Sequence, residues 1–254
     1  MQLDPRNRFS RRAEYYDAYR PKYPRALVNY LESQLSFSQQ AIVADVGSGT
    51  GILTELIVQN GNTVFGVEPN EDMRKMAEAN LSKYPGFKSI NASAEATTLL
   101  SSSVDFITAA QSFHWFRSEA AKTEFRRILR RDGWVVVLWN TRKTSTPFLQ
   151  GYEELVTYIA AEKKNRVSHE DLSEAKMSEF LGAYKKTKLD NSQQLTLRGM
   201  IGRLLSASYS PLPNEPHYEE LVRRATELFN RYQQDGKVTF EYWTEVYAGQ
   251  LSNT

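Results

Sequence analysis

Residues 43–51 read Val-Ala-Asp-Val-Gly-Ser-Gly-Thr-Gly, an apolar strand that closes on an acid and then places glycine at every second position. A backbone of this kind turns sharply and leaves no Cβ beneath a closely approaching ligand. Asp45 puts a carboxylate at the same strand end, which favours a cationic or hydroxylated ligand over a bare phosphate. Glu68 follows Gly51 by 17 residues, after another β-branched run. A carboxylate placed there accepts both hydroxyls of an adenosine ribose in one plane. Adenosine at one acid and positive charge at the other point to S-adenosylmethionine, whose amino and sulfonium groups are both cationic. The dinucleotide fingerprint G-x-G-x-x-G fails in either register, since its last position falls on Ile52 or Thr54, and no Gly-Lys-Ser/Thr follows. A plain glycine turn leaves the acid at 68 unexplained.

A second cluster follows the fourth predicted strand, where residues 110–116 read Ala-Gln-Ser-Phe-His-Trp-Phe. Methyl transfer from a sulfonium is an in-line displacement. A hydroxyl or carbon acid needs a base for it, and an ionised carboxylate does not. His114 is the titratable residue placed to be that base; the alternative is a packed wall with its aromatic neighbours. Phe113, Trp115 and Phe116 read as substrate-pocket or core aromatics rather than cation binders. Asn140 ends the fifth strand at the same face, to touch substrate or to cap the strand. Tyr152 and Tyr158 either line a lid or pack a helix face. His169 and His217 sit in polar surroundings and are assigned nothing.

The elements that must position these residues alternate. Strands are predicted at 41–46, 63–67, 87–91, 104–110 and 134–139, and helices at 25–35, 51–59, 70–84 and 118–129. Gly61 is expected to end a helix in the left-handed region, Asn70 or Asp72 to begin one, Ser118 to cap one, and Asp132-Gly133 to form a turn. Five such units argue for a doubly wound parallel sheet with ligands at the carboxyl ends of its strands. The pattern then changes: helices at 148–164 and 170–184, a strand at 185–197, helices at 198–207 and 218–233, and an alternating strand at 237–247. With 254 residues, 41% of them hydrophobic, the chain suits one α/β domain with an insertion. It is expected to comprise a single domain 1–254, with a helical cover at 1–35 and a helical lid at 141–184.

No apolar run is long enough to span a bilayer, and the polar start gives no expectation of a signal peptide, so a cytoplasmic protein is expected. Absence of cysteine and only three histidines leave no metal site expected. The 32 basic and 30 acidic residues nearly balance, so basic clusters such as 126–131 read as solvated faces rather than a nucleic-acid track.

The segment 43–51, Glu68-Pro69, Ala94-Glu95 and 104–116 together resemble a class I S-adenosylmethionine-dependent methyltransferase. Residues 110–116 and Tyr19-Arg20-Pro21-Lys22-Tyr23-Pro24 resemble, more narrowly, the type 11 small-molecule branch that includes trans-aconitate methyltransferase. The likeness extends over the whole chain, including 206–209 and 246–249. It implies a Rossmann-like seven-stranded sheet, order 3-2-1-4-5-7-6 with strand 7 antiparallel, and a helical insertion after strand 5. It implies that Asp45, Gly47, Ser48, Gly49 and Gly51 form the cofactor loop, with Asp45 and Gly47 at the methionine part and Glu68 at the ribose. Pro69 or Met73 would lie against the adenine, Ala94 and Glu95 at its edge, and Gln111 near the methionyl end. Arg20, with Tyr15 or Tyr19, would fold over the site and meet the cofactor's carboxylate. The proline common after the acidic step is missing, since the chain reads Glu95-Ala96-Thr97-Thr98-Leu99, which puts that loop in doubt. The expected activity is methylation of a small-molecule acceptor at a carboxylate or hydroxyl oxygen. A non-catalytic S-adenosylmethionine-binding module and a protein or other macromolecular substrate are the alternatives. Nucleic acid is disfavoured because the Asn/Asp-Pro-Pro-aromatic step of amino-methylating enzymes is replaced by Ala110-Gln111-Ser112-Phe113. Oligomeric state is not readable.

Overall fold

The structure, a computed structural model, describes residues 13–116, 118–162, 174–207, 210–211 and 213–251. The expectations on residues 1–12, His169 and 208–209 lie outside them. The described residues form seven strands: β1 (Ile42–Val46), β2 (Thr63–Val67), β3 (Phe87–Ile90), β4 (Val104–Ala110), β5 (Leu129–Arg142), β6 (Tyr184–Leu195) and β7 (Val238–Gly249). They form one sheet in the expected order, β3-β2-β1-β4-β5-β7-β6. The first five are parallel, and β7 runs antiparallel to both β5 and β6. Strand order reverses between β1 and β4, which opens a crevice at their carboxyl ends.

The described helices are α1 (Ala13–Tyr19), α2 (Ala26–Leu35), α3 (Ile52–Gln59), α4 (Glu71–Leu81), α5 (Ser118–Ile128), α6 (Pro147–Glu162), α7 (Glu174–Leu181), α8 (Leu197–Leu205) and α9 (Tyr218–Tyr232). Alternation along the strands sorts side chains to two faces. Ala44, Val46, Ile107, Val135 and Val137 pack against α5 and α7 through Phe125, Ile128, Met177 and Phe180. Val43, Val64, Phe106, Val136 and Leu138 face α2, α3 and α4 through Leu27, Leu31, Leu53, Ile57 and Leu81. A third core joins α6, α8 and α9 to the first half of β7: Phe148, Tyr152, Met200, Leu204, Phe229, Phe240 and Tyr242. The helical layer beyond the strand ends therefore draws on the chain between β6 and β7 as well as on the segment after β5.

Several local expectations are met by geometry. Gly61 has φ of 102°, and Asn70 caps α4, its Oδ1 accepting from Met73 N at 2.9 Å. Others change. Ser118 is the first residue of α5 rather than its cap. Asp132-Gly133 does not separate helix from strand but lies inside β5. Val104 pairs with Leu129 and Phe106 with Trp134, so residues 130–133 bulge out of the ladder. A Cβ on Gly133 would stand 2.8 Å from the Asp105 carbonyl oxygen, which explains a glycine there.

Candidate functional site

The loop after β1 is shaped by the protein itself. Gly47 N and Ser48 N both donate to the Val67 carbonyl, at 2.8 and 3.2 Å, and Gly51 N donates to Ser48 O. Gly47, Gly49 and Gly51 all have positive φ, at 68°, 57° and 86°, a region open to glycine at no steric cost. Their surroundings differ. A Cβ at Gly47 would lie 2.5 Å from Ser112 Cβ, and one at Gly51 would lie 2.7 Å from Leu81 Cδ1, whereas nothing stands within 4 Å of one at Gly49. Intramolecular packing thus accounts for two of the glycines, and only Gly49 leaves an empty cradle.

Asp45 is 1 % exposed. Its side chain shares the face of Val43, toward α3, so Thr54 Oγ1 donates to it at 2.6 Å, while Thr108 Oγ1, directly across on β4, donates at 2.8 Å. Burial pushes its carboxyl above the usual range, against the two hydroxyls. Glu68 accepts Gly49 N at 2.9 Å on one oxygen and Asn70 N at 2.8 Å on the other. Burial raises it too, opposed by those amides. Glu68 therefore fastens the glycine loop to the start of α4, with lone pairs still free on each oxygen.

Asp45, Gly47, Ser48, Gly49, Arg20, Gln111 and Asn140 line one cavity, together with Tyr16, Tyr23, Ile52 and Arg203. Gln111 holds φ of 58°, uncommon for a side chain of its kind, and donates through Nε2 to the Asn140 carbonyl at 3.3 Å. Asn140 is a knot. Its Oδ1 accepts from Thr244 Oγ1 at 2.6 Å and Asn191 Nδ2 at 3.1 Å, and its Nδ2 donates to Pro21 O at 3.3 Å. It ties β5, β6 and β7 to the segment after α1, whose Arg20 and Tyr23 line the cavity. Burial, then the Tyr16 and Asp45 charges, push the Tyr23 hydroxyl well up, so it keeps its proton to donate.

Other expected residues lie elsewhere. Tyr19 does not line the cavity: a Cβ on Gly202 would collide with its ring, so it packs on α8. Tyr16, one helical turn before Arg20, takes the cavity position, and the Arg20 guanidinium lies 4.8 Å from its ring centre. The Tyr15 side chain is outside the described set. Tyr152 is 1 % exposed and packs edge-on to Phe240 at 4.7 Å, a core residue of the helical layer rather than a wall of the cavity. Phe113 is likewise core, 4.8 Å from Phe180. Phe116 reaches the loop, with a ring carbon 3.6 Å from a Cβ at Gly47. His114 lies on a 3-10 turn with its ring 4.6 Å from that of Trp115, and neither lines the cavity. Gly51, Glu68, Pro69, Met73, Ala94 and Glu95 do not line the cavity, and Met73 and Ala94 are buried.

Sequence reasoning missed Arg203, a buried arginine on α8, and the device that replaces the absent proline. Thr97 N and Oγ1 both donate to Glu124 Oε1, at 2.8 and 2.5 Å, and Arg127 clamps the same carboxylate. Glu124 is held down to about 2, first by Arg127 and then by Thr97.

Residues 44–137 match the family model of a methyltransferase domain. An uncharacterized methyltransferase of Schizosaccharomyces pombe is 24% identical over 92% of this chain and 93% of its own length. A second, methyltransferase-like protein of that yeast is 29% identical over 56% of this chain, which spans only about half (54%) of that relative. A type II methyltransferase structure from Anaeromyxobacter dehalogenans superposes with a TM-score of 0.74 at 20% identity, over 92% of this chain and 99% of that one. With the sheet order and the β1 loop, the methyltransferase domain matched at residues 44–137 supports a class I S-adenosylmethionine-dependent methyltransferase.

Proposed function

We propose that the protein transfers a methyl group from S-adenosylmethionine to a small-molecule acceptor, at a carboxylate or hydroxyl oxygen. The observation that carries the donor half is the empty cradle over Gly49, flanked by the buried Asp45 carboxylate and the half-buried Glu68 carboxylate, each with lone pairs to spare. When bound, S-adenosylmethionine supplies a methyl carbon on a sulfonium, whose C–S bonding pair leaves with the sulfur. In this reading Asp45 holds the amino group, Arg20 the carboxylate, and Glu68 the ribose hydroxyls. Gln111 borders the methionyl end. Pro69, Met73, Ala94 and Glu95 bound the adenine. The segment to residue 35 serves as a cover and the segment 141–184 as part of a lid, with α8 and α9 contributing.

For the acceptor, the cavity supplies Asn140, Tyr16 and Tyr23 as polar wall, and Phe116 stands beside the glycine loop. An ionised carboxylate has no proton to lose, so it needs no base, and His114 outside the cavity lining then stays a wall residue. The likeness to the trans-aconitate methyltransferase branch belongs to this proposal. Calorimetric titration with S-adenosylmethionine and S-adenosylhomocysteine, followed by turnover on a panel of small acids and alcohols, tests it. Micromolar binding of both and methyl ester or ether formation are expected. Absence of binding overturns the reading.

A further inference from the structure

Tyr23 lines the cavity with its ring in the apolar core, beside Leu27, Val43 and Leu53. It is 9 % exposed, and its hydroxyl makes no hydrogen bond among the described residues. That oxygen is not one of the polar atoms sealed from solvent, so it opens on the cavity. A hydroxyl left without a partner at such a wall costs the empty protein and favours a polar ligand group beside it.

The backbone that carries Tyr23 is fixed before any ligand arrives. Asn191 Nδ2 donates to Lys22 O at 2.7 Å and Asn140 Nδ2 to Pro21 O at 3.3 Å. On the other side Pro24 O accepts from Leu27 N at 2.9 Å, at the start of α2. Lys22 Nζ pairs with Glu55 at 2.9 Å. A donor held in this way loses little freedom when a ligand uses it.

The neighbours decide which ligand group it meets. The fields of Tyr16, Asp45 and Arg20 reach the hydroxyl, and all three line the cavity with it. In the reading above Asp45 takes the amino group of S-adenosylmethionine and Arg20 the carboxylate. Those two groups share one carbon, so Tyr23 faces the amino-acid end of the cofactor. A carboxylate has about four lone-pair sites. Arg20 already gives Nη2 to the Ser206 carbonyl at 3.2 Å, which leaves sites on the carboxylate for a second donor.

We propose that Tyr23 is a further cofactor-binding residue, whose hydroxyl donates to the carboxylate of S-adenosylmethionine beside Arg20. The site then selects for donors that carry this carboxylate, while the lone pairs of the phenol stay turned to the acceptor as part of the polar wall. The inference rests on the methyltransferase reading and adds a specificity determinant to it.

The test titrates the full chain calorimetrically with S-adenosylhomocysteine and with its decarboxylated analogue, the aminopropyl thioether of adenosine, which keeps the amino group. Tyr23→Phe removes the hydroxyl and keeps the ring. It should weaken S-adenosylhomocysteine about ten- to hundredfold, the usual worth of a hydrogen bond to a charged group, and leave the decarboxylated analogue as it is with the wild type. Because the hydroxyl has no partner in the empty fold, the ligand-free melting temperature should not fall. S-adenosylhomocysteine affinity within about threefold of wild type, an equal loss for both ligands, or a ligand-free melting temperature lower by more than about 3 °C, roughly 1 kcal/mol for a chain of this size, overturns the proposal. A wild type that fails to bind S-adenosylhomocysteine overturns the methyltransferase reading instead.

Discussion

Asp45→Asn separates what the cavity does for the fold from what it does for a ligand. Asp45 is 1 % exposed, and burial lifts its carboxyl above the unfolded value. An acid raised in this way binds its proton more tightly when folded. Stability therefore falls as pH rises from the unfolded pKa through the folded one, and the penalty persists at neutral pH. Asparagine keeps the shape and removes the charge, and the Thr54 and Thr108 hydroxyls can rotate to meet either end of the amide. The ligand-free variant should match the wild type or gain up to about 1 kcal/mol, roughly 0–4 °C in Tm for a chain of this size. Ligand binding should move the other way. A charge-assisted hydrogen bond to an ammonium is worth about 1.5–3 kcal/mol, so affinity for S-adenosylmethionine and S-adenosylhomocysteine should fall roughly 10- to 150-fold. Calorimetry at pH 7.5 reads the affinity, and thermal melts with and without S-adenosylhomocysteine read the stability. Affinity within threefold of wild type, or a ligand-free Tm lower by more than about 5 °C, refutes the reasoning.

Gly49→Ala should cost only the left-handed backbone, about 1–2 kcal/mol, because a Cβ there meets nothing within 4 Å, yet it should abolish the melting shift given by S-adenosylhomocysteine. A retained shift would show that the cradle is not the ligand's seat. Glu124→Ala frees the loop at Thr97. The shift of Glu124 to about 2 sets a ceiling of roughly 3 kcal/mol, and the 40% exposure of Arg127 lowers the expectation to about 2 kcal/mol. A lowered carboxyl stabilises above its unfolded pKa, so in urea melts the gap to wild type should hold from pH 8 to 5 and close as pH falls from about 4.5 toward 2. A gap independent of pH sinks that account. His114→Ala should keep methyl transfer within about fivefold, since a carboxylate acceptor needs no base; a loss beyond a hundredfold would restore the imidazole to the chemistry.

The parallel strands were legible because each is a short run fenced by glycine or a cap, and β7 because its side chains alternate in character, while the strand order came from the family resemblance. Asp45 and Gly49 were legible for a related reason: each needs a residue type that its neighbours do not excuse, whereas Glu68 was legible by its spacing. What failed was the direction of side chains on helices. The sequence paired Arg20 with Tyr15 or Tyr19, although the one-turn spacing of Tyr16 and Arg20 held the answer, because the face of α1 that meets α8 was not legible. Tyr152 read equally as a lid or a helix-face residue because nothing local announces that β7 will bring Phe240 against it from 88 residues away. Arg203 had a faint signal, a cation between Met200 and Leu204 on a buried stripe. The absent proline after Glu95 marked a place where something must compensate, and the compensating acid lay on another element.

The two acids that first drew attention differ in what they can prove. Glu68 accepts from Gly49 N and Asn70 N, so it builds the loop whether or not a ribose ever reaches it. Replacing it with glutamine would aim an amide N–H at one of those backbone N–H groups, and any loss of binding would mix a deformed loop with a lost contact. Asp45 accepts from the Thr54 and Thr108 hydroxyls, which can reorient, and from the Thr54 backbone, and burial still lifts its carboxyl, so its charge costs the empty fold stability. A buried, raised carboxyl that the fold does not need is therefore the sharper mark of a bound cation than the acid whose spacing pointed to adenosine.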